Sequence, residues 1–150
     1  NSNLEFFTRG VREYSSFRPS RTSMSQETAE KYREAAYDPT GWAVSETNQL
    51  HFSKLAGLCR KEGIPLYVVM APMYDEYIRS INYASCTEQI SALAGNEEVP
   101  FLDCNLHYDE IGLAAEDFED AFNGYHHLNG KGAEKVTEFV METLYGQEKE

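Results

Sequence analysis

A chain of 150 residues with 25 acidic and 13 basic side chains, net charge −12, has room for one domain with its own core but not for two ordinary domains. Its 41% apolar and 13% aromatic content is that of a globular protein and exceeds what disordered chains show. Scattered Lys and Arg argue against a nucleic-acid or anionic-membrane partner, and no run reaches the ~20 apolar residues of a transmembrane helix.

The chain opens on Asn1-Ser2-Asn3 rather than Met, which leads us to expect a processed or excised piece of a longer protein. Residues 1–26 are polar and rich in Ser and Arg, with one short strand or helical turn expected around Leu4–Val11. Arg9, Arg12, Arg18 and Arg21, interleaved with Phe17 and Pro19, read as a solvated loop or expression leader rather than a nucleic-acid arm. Residues 26–36 have strong helix propensity, and Tyr37-Asp38-Pro39-Thr40-Gly41 stops that helix. Residues 1–45 are therefore expected to be a polar N-terminal segment with one helix, ahead of an α/β portion spanning 46–150.

Between Glu46 and Lys61, Phe52, Leu55, Ala56 and Cys59 recur at i, i+3, i+4 and i+7, the period of an amphipathic helix. Glu62-Gly63 ends it. The apolar run Ile64 to Pro72 then reads as a strand buried on both faces, as in a parallel sheet covered by helices. A shorter helix is expected from Cys86 to Ala94, closed by Gly95-Asn96, followed by a second strand over Val99–Asp103. The last helix begins near Asn129 or Gly130, with Asn129 as N-cap, and runs to about Leu144. Helix-then-strand units in succession predict crossover connections and a parallel sheet. Cys59, Cys86 and Cys104 fit neither a paired framework nor metal-ligand spacing, and read as buried free thiols.

Open α/β sheets bind ligands beyond the C-terminal ends of their strands. Here those ends lead into Pro72–Tyr77 and Asp103–Asp109, two loops with polar and aromatic side chains suited to a cleft. A further segment ends in His127-Leu128-Asn129-Gly130-Lys131-Gly132-Ala133, where a His just before a capped helix sits on backbone that cannot drift. An acidic residue a few positions upstream would hold its tautomer and stabilise the imidazolium. A metal site drawn from Asp103, His107, Asp109, His126 and His127 is the rival chemistry. It lacks a His-x-x-x-His helix pair, and adjacent His126 and His127 would point in different directions in most backbone states. His51, at a helix start, reads as a surface residue.

Those features together resemble the SGNH (GDSL-like) hydrolases, relatives of cell-envelope polysaccharide O-acyltransferases. The resemblance runs from about Asp38 to Leu144 and is carried by Cys59-Arg60-Lys61-Glu62-Gly63-Ile64-Pro65, the Val-Val-Met-Ala-Pro strand end, the strand ending in Asp103, Asp117-Phe118-Glu119-Asp120-Ala121 and the His-Leu-Asn-x-x-Gly-Ala run. It implies a partial flavodoxin-like, SGNH-type three-layer sandwich with a short parallel sheet flanked by helices. It also implies His127 as catalytic base for a serine, with Asp120 as its acid, because the position three before His127 is Gly124. Neither a cofactor nor a metal is implied. The family's Gly-Asp-Ser-like nucleophile turn is missing, since Ser15, Ser16, Ser20, Ser23 and Ser25 lie in a polar stretch with no apolar strand before them.

The resulting expectation is the C-terminal part of a serine acyl-ester hydrolase or O-acyltransferase, inactive by itself, whose parent acts on an acyl ester or acetylated carbohydrate; the residues do not fix the compartment, and the resemblance is to cell-envelope or extracytoplasmic proteins. The alternative is a non-catalytic carbohydrate-binding or scaffold domain that keeps the fold. Half a parallel sheet exposes an edge, so self-association through that edge, or its coverage by residues 1–45, is also expected.

Overall fold

The computed structural model describes residues 22–120 and 127–146. The expectation for Leu4–Val11, and the positions of Gly124 and His126, lie outside those residues. Helix α1, Gln26–Arg33, starts where the Ser25 hydroxyl accepts the Thr28 N–H. Helix α2, Glu46–Glu62, starts at Ser45 and stops at Gly63, whose φ of 65° is the left-handed conformation that glycine adopts without steric cost. Strand β1 is Val68–Met70, followed by α3, Asp75–Arg79, and α4, Tyr83–Asn96. Strand β2 is Phe101–Asp103. A 3-10 turn over Cys104–His107, the short α5 of Tyr108–Ile111 and a second 3-10 turn over Ala115–Asp117 lead to α6, Gly130–Tyr145.

The chain is thus mixed α/β, mostly helical, around a two-stranded parallel sheet in which Val68, Val69 and Met70 pair with Phe101, Leu102 and Asp103. Paired residues share a face of the sheet. Leu102 packs with Cys104, Ile111 and Val136, which places α6 on the Val69–Leu102 face. Tyr83 of α4 donates its hydroxyl to Asp103, on the opposite face.

The first strand departs from expectation. It covers three residues of the 64–72 run, because β2 offers only three partners after Pro100 and because Pro65 lacks an N–H. Nor is it buried on both faces: Val69 is 40% exposed, since α6 packs over β2 through Val136 and leaves β1 partly uncovered. Among the described residues no strand pairs with the outer edge of either strand.

A second core gathers Met24, Ala29, Tyr32, Tyr74 and Phe118. Tyr32 and Phe118 each lie 5.5 Å from the Tyr74 ring, and the Tyr108 ring stacks on Phe118 at 6.1 Å. Tyr74 and Tyr108 therefore pack inward rather than line a cleft, since a phenol ring gains more from burying its face than from lying along an exposed loop. Residues 22–33 share this core with the α/β portion, and the Met24 N–H donates to the Phe118 carbonyl at 2.9 Å. Cys59, Cys86 and Cys104 are buried free thiols, and burial pushes the thiol pKa of Cys86 and Cys104 up.

Candidate functional site

The segment with the sharpest sequence pattern is held by a short antiparallel pairing, Phe118 opposite Leu128. The Asn129 N–H donates to the Asp117 carbonyl and the Glu119 N–H to the His127 carbonyl, both at 2.9 Å. Asn129 then fixes the start of α6. Its Oδ1 accepts the N–H groups of Lys131 and Gly132, while its Nδ2 donates to the carbonyls of Glu116, Phe118 and Thr22 at 2.7, 3.2 and 3.2 Å. Only 2% of Asn129 is exposed. Gly132 is required by close approach: a Cβ there would lie 2.3 Å from the Asp117 carbonyl oxygen and 2.8 Å from Leu128 Cδ2. Leu128 packs into both cores. Three of the motif's residues, Leu128, Asn129 and Gly132, thus have packing and capping duties.

Buried Asp117 completes the lock. Its Oδ2 accepts the Ala114 N–H at 2.9 Å and the Lys135 ammonium at 2.7 Å, tying the 3-10 turn to α6.

His127 lies exposed on this pinned backbone, two residues before the cap. Antiparallel register places Glu119 directly opposite it, and side chains opposite one another share a face. Asp120, one residue on, turns to the other face. Its Oδ1 accepts the Ser25 N–H at 3.0 Å and the Ser25 hydroxyl at 2.9 Å. Hydrogen bonds from Thr28 and Ser25 hold the Asp120 carboxyl below the usual aspartate range. Asp120 therefore ties the hairpin to α1. Sequence spacing missed Glu119, because only the strand pairing identifies it as the neighbour of His127; an acid next to the expected one was the available signal.

The strand ends form a second polar locus. Asp103 Oδ1 accepts the backbone N–H and Nδ2 of Asn105 at 3.0 and 2.9 Å, and its Oδ2 accepts from Tyr83. Burial, then the Asp103 bond, pushes the Tyr83 phenol far above its ordinary pKa. Asn105 in turn accepts the Met73 N–H at 2.8 Å, stitching the two strand-end loops together. His107 Nδ1 lies 3.1 Å from Glu110, and its ring packs 5.1 Å from Phe139. Among the described residues no group of three or more His, Cys, Asp or Glu side chains is placed to hold a metal ion.

Among the described residues, five of the seven serine hydroxyls have structural partners: Ser25 and Ser45 cap helices, Ser53 donates to Glu97, Ser80 to the Tyr77 carbonyl and Ser85 to the Trp42 carbonyl. No protein-family model, curated protein or solved structure matches the chain.

Proposed function

We propose that the chain is the C-terminal part of an SGNH-like serine acyl-ester hydrolase or O-acyltransferase, on part of a flavodoxin-like three-layer sandwich, and that it is inert by itself. The observation carrying this reading is the rigid backbone around exposed His127, whose carbonyl takes the Glu119 N–H while Asn129 is bonded on five sides. Rigid presentation is what a general base requires. In the assembled site His127 accepts the proton of a serine hydroxyl as that oxygen attacks the acyl carbonyl. Glu119, facing the ring's side of the hairpin, stabilises the imidazolium in place of Asp120, whose carboxylate holds Ser25. The serine and its oxyanion donors come from a segment that adds to the outer edge of β1, where Val69 is exposed; without it, a second copy pairs there. The substrate is an acyl ester, with an acetylated cell-envelope carbohydrate as the family's precedent.

Hydrolysis of p-nitrophenyl acetate tests the reading. The chain and its His127→Ala variant are expected to turn the ester over at one rate, that of the buffer with an equal concentration of denatured protein. A folded-state rate at least tenfold above that of the variant would mean that a nucleophile is present after all. A non-catalytic binding or scaffold domain is the second reading, favoured by the commitment of Asp120 to α1. Restoring an upstream segment with a Gly-Asp-Ser-like turn separates the two, since only the enzyme gains activity.

A further inference from the structure

We infer that the free edge of β2 and the adjoining face of α4 form a docking groove for an extended peptide strand bearing Lys or Arg. A cavity of about 700 Å³ runs along this edge, walled by the face of α4 from Tyr83 to Ala92. Phe101, Leu102 and Asp103 all line it. Consecutive strand residues point to opposite faces, so three in a row reach one cavity only at the strand's edge, through their backbone.

The ladder register fixes which groups face outward. Val68 pairs with Phe101, and its N–H donates to Pro100 at 2.9 Å. In a parallel ladder the bonds of Val68 go to the residues flanking Phe101, so the N–H and C=O of Phe101 point away from β1. No backbone partner meets them among the described residues. An exposed edge with unpaired peptide groups is a template for strand addition.

Charge selects the occupant. The lining holds no Lys or Arg and one exposed carboxylate, Glu88, since Asp103 is buried and already bonded to Tyr83 and Asn105. Helix α4 carries no basic residue at all, and Asp109 and Glu110 follow just beyond His107. Two copies meeting edge to edge would bring these carboxylates together, whereas a basic strand neutralises them. Leu106, 75% exposed at the rim, offers an apolar contact for an alternating side chain. This groove is separate from the hairpin that carries His127, so it stands whether or not the chain belongs to an esterase.

The probe is a rhodamine-labelled, end-blocked Lys-Val-Lys-Val-Lys peptide, titrated by fluorescence anisotropy against the intact chain. Saturable binding is expected, weakened by added salt and at least fivefold by Glu88→Lys, a surface change on α4. Phe101→Pro removes the outward N–H and spares the ladder bonds of its neighbours, and is expected to weaken binding about tenfold. In the wild-type chain, amide exchange at Phe101 should slow on peptide addition. Absent saturation, equal binding of Glu-Val-Glu-Val-Glu, or equal binding of an N-methylated probe would each overturn the inference. So would protection of Phe101 that grows with protein concentration alone, which would mark a second copy as the occupant.

Discussion

Replacing Asn129 separates two duties that a helix cap usually merges. Its Oδ1 caps α6, a contribution of about 1 kcal/mol when lost to alanine. Its Nδ2 serves three carbonyls, of which that of Phe118 lies in a fully buried bond and that of Glu116 in a partly buried one. Leaving a buried acceptor unsatisfied costs about 1–3 kcal/mol. Asn129→Ala should therefore lose about 3 kcal/mol, which at about 2–4 °C per kcal/mol for a chain of this size lowers Tm by roughly 6–12 °C. Asn129→Asp is the sharper variant. Asn and Asp are nearly equal as N-caps, so a pure capping role predicts almost no change. In this structure the second carboxylate oxygen would face the carbonyls of Glu116 and Phe118 at the positions now 2.7 and 3.2 Å from Nδ2. Asn129→Asp should thus cost at least as much as Asn129→Ala. Urea unfolding followed by circular dichroism reads both, and an Asp variant within about 0.5 kcal/mol of wild type would refute the donor role.

Gly132→Ala and Gly57→Ala should move stability in opposite directions. The first drives a Cβ to 2.3 Å from the Asp117 carbonyl oxygen and is expected to cost about 2 kcal/mol or more, while the second meets nothing within 4 Å inside α2 and should gain up to about 1 kcal/mol. Equal Tm shifts would contradict the packing. Acid should loosen the hairpin through Asp120, whose folded pKa is lowered by bonds from Thr28 and Ser25. A depressed carboxyl contributes its stability fully above its unfolded value, near ~3.9, and loses it as pH falls through the lower folded value. The difference in urea midpoint between wild type and Asp120→Asn should be present at pH 6 and shrink toward zero as pH drops below ~4. A difference that stays constant with pH would show that the carboxylate does not anchor Ser25.

Much of the helical framework was legible because periodicity and caps act locally. The i, i+3, i+4, i+7 pattern located α2, and Asn129 marked the start of α6. Strand lengths were not legible, because how far Ile64–Pro72 pairs depends on the three residues that Pro100 leaves to β2. The short α3 leaves no mark in the sequence pattern, since five residues carry too little periodicity to register. Aromatics misled for a related reason. Tyr74 and Tyr108 follow the strand ends in sequence, yet contacts with Tyr32 and Phe118 take them into the core. At the candidate site, the bonded backbone at His127 and the cap at Asn129 were legible. The identity of its acidic neighbour was not, because adjacent Glu119 and Asp120 diverge to opposite faces only once Phe118 pairs with Leu128. Close approach at Gly132 likewise involves backbone fifteen residues upstream, beyond any local signal.

Covalent labelling tests most directly whether the chain holds a base without its nucleophile. Incubated with a fluorophosphonate and weighed intact by mass spectrometry, the folded chain should keep its unmodified mass, as should His127→Ala. A single adduct on a serine, formed by the wild-type chain and lost in His127→Ala, would contradict the account.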